Sequence, residues 1–403
     1  MELQRSLIGY VLCLLTCGAF GHRYNFVKNT SNYGECLLKG LECVDISQCP
    51  EIAQLVNKTT SVRHVLAKLK YFMCGLNNGL VKVCCPQDSV IPKPQPGVPD
   101  PATTTLPADT ETRPPTSIVG HRNFNLINRN CGVGLTNRIV GGQSALPGEF
   151  PWLALLQYNV SGELEFLCGG SLITDMYVLT AAHCLAPTMN DSSTQLVAVR
   201  LGEYDLRREE DCPQNSSKTN RCSLRSRDYA VSEIVLHPRY NQQDRIQFKN
   251  DIALIRLKTR VELSEYVSPV CLPVPGRLTT KNDFLAGLNL TVAGWGMTGN
   301  SMESDVLMKV DVPYISRTLC EYNLRGRKVF PGQFCAGGLP AMNACNGDSG
   351  GPLIASISRN GGSRICYQVG IVSVGFASCL SSTPSIYTDV EDFVTWILDN
   401  IRD

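Results

Sequence analysis

The sequence predicts an all-β domain closed by one terminal helix and preceded by a small disulfide-rich module on a proline-rich spacer. Three observations carry this reading. Beyond Cys131, short apolar and β-branched runs recur with Gly, Pro, Asn and Asp clusters between them, the pattern of sandwiches and barrels. The last residues carry one apolar stripe at helical spacing. Near the N-terminus six cysteines crowd into 50 residues, from Cys36 to Cys85, a size at which a core alone is marginal and disulfides supply the missing stability.

The chain opens with Arg5, an apolar run from Leu7 to Cys17, and the small residues Gly18 and Ala19. This is the layout of a secretory signal over residues 1–21, cleaved after Gly21. The run is shorter than the roughly 20 apolar residues a bilayer span requires, so the expectation is a secreted, extracellular chain with no membrane partner. The small module, over 35–85, holds Cys36, Cys43, Cys49, Cys74, Cys84 and Cys85. Adjacent Cys84 and Cys85 make poor partners for each other, and the spacing otherwise leaves the connectivity open. Ile52 to Met73 carries apolar residues at mixed helical spacing and predicts some helix.

Residues 86–130 read as a linker. Nine prolines lie between Pro86 and Pro115, interleaved with Thr103, Thr104 and Thr105. Such a stretch cannot bury enough surface to fold and favours extended, exposed conformations. The predicted strands beyond it include Leu153 to Tyr158, Ser171 to Leu179, Leu196 to Leu201, Ile252 to Leu257, Leu290 to Ala293 and Val369 to Val374. Val390, Phe393, Val394, Ile397, Leu398 and Ile401 then form one stripe of a terminal helix, with Asp389 at the N-cap.

Composition narrows the function. With 37 Lys+Arg against 36 Asp+Glu in 403 residues, the chain offers no electrostatic case for nucleic acid or an anionic surface. Nineteen cysteines suit an oxidising compartment. Sequons at Asn29, Asn57, Asn159, Asn190, Asn215 and Asn289 agree with a secreted glycoprotein.

Three segments carry chemistry: Thr180-Ala181-Ala182-His183-Cys184, Asn250-Asp251-Ile252-Ala253-Leu254, and Gly347-Asp348-Ser349-Gly350-Gly351-Pro352-Leu353. In this order, on a β-rich secreted domain, they resemble the chymotrypsin-like serine proteases from Ile139 to the C-terminus. The resemblance implies two six-stranded antiparallel β-barrels with a C-terminal helix over 139–403. A serine hydroxyl is a weak nucleophile, so Ser349 needs a base. His183 suits that task because imidazole titrates near neutral pH. Asp251 would hold its tautomer and stabilise the imidazolium. The backbone N–H groups of Gly347 and Ser349 would form the oxyanion hole, with Gly347 free of a Cβ clash. No cofactor is required for this chemistry.

The same resemblance implies a zymogen. Asn137-Arg138-Ile139-Val140-Gly141-Gly142 looks like an activation site, where cutting after Arg138 frees an Ile139 amine to pair with Asp348. Its disulfides would map to Cys168–Cys184, Cys320–Cys335, Cys345–Cys379 and Cys131–Cys271, the last tethering the light chain. Cys212 and Cys222 would close an acidic loop, and Cys366 is left over, as a buried free thiol or as half of an intermolecular disulfide. The six-cysteine module resembles a clip domain, which implies Cys36–Cys84, Cys43–Cys74 and Cys49–Cys85. Clip-domain serine proteases of arthropod haemolymph act in cascades, so the implied partners are protein substrates, an upstream trypsin-like activating protease and a serpin-type inhibitor.

Two departures refine the expectation. Relatives that cut after Arg or Lys carry an aspartate six residues before the catalytic serine, where this chain has Asn343. A neutral amide cannot offset the burial of a guanidinium. The other pocket positions, Gly375 and Ser385, add no charge, so an uncharged P1 residue is expected. The acidic residues Glu203, Asp205 and Asp228 suggest a Ca²⁺ site by resemblance to relatives that bind it in this loop, against a simply solvated acidic loop. The competing function is a non-catalytic clip-protease homologue acting as adaptor or cofactor.

Overall fold

The structure is a computed structural model that describes residues 41–45, 48–50, 73–77, 80–86, 118–127, 130–134, 143–190, 193–211, 225–244, 247–274, 289–297, 303–315, 317–324, 327–338, 344, 347–358, 364–375 and 383–403. The chain divides into two compact units, Met1–Glu111 and Thr112–Asp403. In the first, β1 (Leu41–Asp45), β2 (Met73–Asn77) and β3 (Leu80–Pro86) form an antiparallel sheet in the order β1-β3-β2. Cys49 is bonded to Cys85. Cys43 and Cys84 are also disulfide-bonded, and the side chains of Cys36 and Cys74 lie outside the described part. So does the expected helix over Ile52 to Met73, save that Met73 begins β2.

The second unit begins its strands with β4 (Gln143–Ser144). Its first barrel holds β5 (Leu153–Val160), β6 (Glu163–Leu172), β7 (Tyr177–Thr180), β8 (Thr194–Leu201), β9 (Arg227–Leu236) and β10 (Ala253–Leu257), closed in the order β10-β7-β6-β5-β8-β9. The second holds β11 (Asn289–Gly294), β12 (Met308–Ile315), β13 (Gln333–Gly337), β14 (Pro352–Ser358), β15 (Arg364–Val374) and β16 (Pro384–Asp389). Pairing of β11 with β12 closes it, and β4 adds to the outer side of β12. Among the described residues the unit's α-helices are α1 (Ala182–Asn190), α2 (Arg317–Asn323) and α3 (Val390–Asn400).

The β5–β6 hairpin shows local chemistry setting the fold. Ser161 and Gly162 both take positive φ, 53° and 102°, as a two-residue turn between right-twisted strands demands. Val160 and Glu163 pair across it. The run Ser171 to Leu179 is not one strand. Thr174 Oγ1 accepts the N–H groups of Met176 and Tyr177, each at 3.1 Å, and this local turn separates β6 from β7.

Helix α3 buries Val390, Phe393, Val394, Ile397 and Leu398, each worth about 1.5–3 kcal/mol over exposure. Asp389 holds extended N-cap geometry, but its side chain makes no capping bond. The end of the segment read as linker is also packed. Ile127 is buried in the main hydrophobic core, and Ile118, Phe124 and Leu126 pack against that core. Asn123 Nδ2 donates to the Leu398 and Ile401 carbonyls at 2.9 and 2.7 Å, groups that the end of α3 would otherwise leave without partners. The Cys131–Cys271 disulfide fastens this segment nearby.

Candidate active site

His183 lies in the first turn of α1, directly after β7, and Asp251 lies just before β10. Strands β7 and β10 are neighbours, with Thr180 opposite Ala253. The register therefore brings the two side chains together. Asp251 is fully buried. Its Oδ2 stands 2.7 Å from His183 Nδ1 and its Oδ1 accepts the His183 backbone N–H at 2.8 Å. Two second-barrel residues complete its shell. Ser373 Oγ donates to Oδ2 at 2.5 Å, and Thr388 Oγ1 donates to the Asp251 carbonyl at 2.8 Å. Burial by itself would push the His183 imidazole down, but the Asp251 charge and hydrogen bond outweigh it and hold the group above its ordinary value.

Ser349 comes from the second barrel, in the turn before β14. Its carbonyl accepts the Gly169 N–H of β6 at 2.8 Å, a bond that joins the two barrels beside the site. Gly347 has φ of 93°, and a Cβ there would stand 2.8 Å from the Gly296 Cα. Only glycine fits this turn without displacement. Asp348 Oδ1 accepts the Gly296 N–H at 3.1 Å. Among the described residues no hydrogen bond joins Ser349 Oγ to His183 Nε2, which instead lies 3.7 Å from Cys184 Sγ. Such catalytic contacts are commonly loose until substrate arrives.

Around the centre, Ser385 is buried on β16 and Gly375 is exposed at the end of β15. A Cβ on Gly375 would meet the Ala344 carbonyl only at 3.7 Å. Asn343, Arg138, Ile139, Cys212, Cys222, Cys345 and Cys379 lie outside the described residues. Cys168 is bonded to Cys184 beside His183, and Cys320 to Cys335. Cys366 is a buried free thiol with Sγ 3.3 Å from Ser356 Oγ. Of the sequon residues, Asn159 is the last but one of β5, at the hairpin, where its Oδ1 accepts the Gly162 N–H at 2.8 Å. Asn29, Asn57 and Asn215 lie outside the described residues, as do the side chains of Asn190 and Asn289.

The three acidic residues named for Ca²⁺ face arginine side chains. Asp228 is held by both the Nε and an Nη of Arg200 at 2.7 and 2.9 Å, and the same guanidinium reaches Glu203 at 3.4 Å. Asp205 receives the Arg207 guanidinium at 2.7 and 2.8 Å, which holds its carboxyl below the usual range. Ca²⁺ binds six or more oxygens, so an ion held here would have to displace these guanidiniums.

Sequence reading did not find Phe248. Its ring stands edge-on to His183, with centroids 5.9 Å apart and planes at 89°. Its φ is 47°, an uncommon conformation for a bulky residue. The preceding sequence gives no signal of this contact. Nor does local sequence give a signal of Ser373 as the partner of Asp251.

Two six-stranded barrels, with His183 paired to Asp251 beside the first and Ser349 in a turn of the second, form a trypsin-type architecture. The trypsin family matches residues 139–397 and the regulatory CLIP domain of proteinases matches residues 42–85. The chain belongs to the clip-domain serine protease family. It is 34% identical to melanization protease 1 of Drosophila melanogaster, over 89% of this chain and 90% of that protein. It is 36% identical to the Spaetzle-processing enzyme of the same fly, over 90% and 89%. The crystal structure of Drosophila Grass, a clip serine protease of the Toll pathway, superposes with a TM-score of 0.59 at 31% identity, covering 89% of this chain and 94% of that one.

Proposed function

We propose that this chain is a secreted serine endopeptidase, made as a zymogen and activated by cleavage between Arg138 and Ile139. The observation that carries the proposal is the fully buried Asp251 carboxylate on His183 Nδ1. It leaves Nε2 as the face of the ring available to a serine hydroxyl. In the proposed reaction, Ser349 Oγ attacks the scissile carbonyl while His183 takes its proton. The imidazolium, paired with Asp251, then gives that proton to the leaving amine. Water repeats the sequence to release the acyl group. The N–H groups of Gly347 and Ser349 receive the oxyanion.

Activation follows from burial. An α-amino group freed at Ile139 would have Asp348 as its partner, and a buried charge is tolerated only when paired. The uncut chain lacks that amine. With Asn343 in the pocket, P1 is proposed to be uncharged, so the enzyme would cut its own Arg138 poorly and rely on a trypsin-like protease upstream. The relatives' names, among them a Spaetzle-processing enzyme and phenoloxidase-activating enzyme 1, support a place in an extracellular immune or developmental cascade with protein substrates; a serpin-type inhibitor is part of the proposal.

The test is a profile of peptides bearing Arg, Leu, Phe or Gln at P1, offered to the chain after defined cleavage at Arg138. Turnover of the uncharged peptides ahead of Arg is expected. Efficient Arg cleavage overturns the P1 assignment, and no turnover of any peptide favours the adaptor.

A further inference from the structure

The hairpin of β5 and β6 runs out past the wall of its barrel. Of β6, only Ser171 and Leu172 pair with β7. From Glu163 to Phe166 its partner among the described residues is β5 alone. That stretch leaves one edge of backbone groups open, a feature that natural sheets cover or blunt because it pairs with other chains. It also carries an uncovered apolar side chain. The Phe166 ring has the Arg200 guanidinium 5.0 Å from its centroid as a lid, whereas Leu164, two residues nearer the tip, is 61% exposed.

Directly opposite Leu164 stands Asn159, the first residue of the Asn159-Val160-Ser161 sequon. Tyr158 before it is buried, its hydroxyl donating to the Cys184 carbonyl at 3.2 Å. Alternation along the strand therefore turns Asn159 to the outer face. Its neighbours on the two adjoining strands are Leu164 and Gln195, both exposed. The Gly162 N–H donates to Asn159 Oδ1 at 2.8 Å and so fixes the side-chain amide. Among the described residues Nδ2 makes no hydrogen bond. Ser161, the third residue of the sequon, is exposed at the tip.

We propose that Asn159 carries an N-linked oligosaccharide whose first sugars lie across Leu164 and the open edge of β6. In the transfer, Asn159 Nδ2 attacks C1 of a lipid-pyrophosphate-linked oligosaccharide. The N–C1 bond forms, the C1–O bond to phosphate breaks, one Nδ2 proton passes to solvent, and the lipid pyrophosphate leaves. Cross-strand Cβ atoms lie about 5 Å apart, so the first sugar ring reaches Leu164 and the next passes the edge. The C–H face of the sugar keeps water from the leucine, and its bulk bars a second strand from the open backbone. This assignment rests on the chain being secreted and is independent of the chemistry at Ser349.

The experiment uses the full chain secreted from a glycosylating cell. Glycans are released by an amidase in heavy-oxygen water, which marks each formerly occupied asparagine as a heavy aspartate for mass spectrometry. The expected result is Asn159 occupied in most wild-type chains and bare in Ser161→Ala. On the folded protein, hydroxyl-radical labelling of Leu164 should at least double once the glycan is removed, since the sugar hides more than half of its open surface. Leu263, 51% exposed, should keep its labelling and serves as the reference. Ser161→Ala should show the higher Leu164 labelling without amidase, again with Leu263 unchanged. Asn159 found bare in the secreted chain overturns the proposal. An occupied Asn159 whose release leaves Leu164 labelling unmoved overturns it as well. A chain kept inside the cell with every sequon bare overturns the secretion reading and this inference together.

Discussion

Asp251 grips His183 twice, through the ring nitrogen at 2.7 Å and through the backbone N–H at 2.8 Å, from a position with no exposed surface. One carboxylate therefore sets both the place of the α1 first turn and the direction of the imidazole. Ser373 and Thr388 hold that carboxylate residue from the second barrel, so the geometry depends on both barrels being folded.

The first prediction concerns charge and pH. Asp251 is what lifts His183 above its ordinary value, since burial pulls the other way. A general base must be neutral, so the acid limb of kcat/KM should lie at higher pH than an ordinary imidazole would give. Asp251→Asn removes the lifting charge and leaves the burial. The limb should move to lower pH, and kcat should fall by about 10³–10⁴ through loss of the correct tautomer. A pH–rate series on both proteins checks this.

A second prediction concerns the pocket. Asn343→Asp should place a carboxylate where a guanidinium or ammonium can meet it. A hydrogen bond to a charged partner is worth about 1.5–3 kcal/mol, so the ratio of Arg to Leu cleavage should rise about 10- to 100-fold. Paired P1 substrates measure it directly.

Stability offers a third. Asn123 closes two carbonyls at the end of α3. Asn123→Ala leaves them to water and should cost about 1–2 kcal/mol, lowering Tm by roughly 2–6 °C. Differential scanning fluorimetry reads the change, and an unchanged Tm would remove the strap from the account.

Calcium gives a fourth. Because Arg200 and Arg207 occupy the oxygens of Glu203, Asp205 and Asp228, a chelator should leave Tm unchanged. A fall of more than about 2 °C on chelation, restored by Ca²⁺, would contradict that.

The parts of this molecule legible in the sequence are those written locally. The stripe from Val390 to Ile401 is a helix because its spacing is helical, and the segments around His183, Asp251 and Ser349 each stand out within a few residues. The β6–β7 break was missed because Thr174 ends the strand through a side-chain bond that periodicity does not register. Residues 118–127 followed a proline-rich stretch and read as spacer, yet Asn123 finds its partners 275 and 278 residues away. Ser373 and Thr388 were unreadable for the same reason: each acts on the Asp251 loop from the other barrel. That Arg200 and Arg207 face the acidic trio was likewise not legible, because composition does not say which charge faces which.

The central claim is that cutting after Arg138 produces a working Ser349 nucleophile. The direct measurement is fluorophosphonate labelling before and after that cut, with the cut and the modified residue both located by mass spectrometry. The account predicts near-stoichiometric modification of Ser349 in the cut chain and little in the uncut one. A cut, folded chain that stays unlabelled would contradict it.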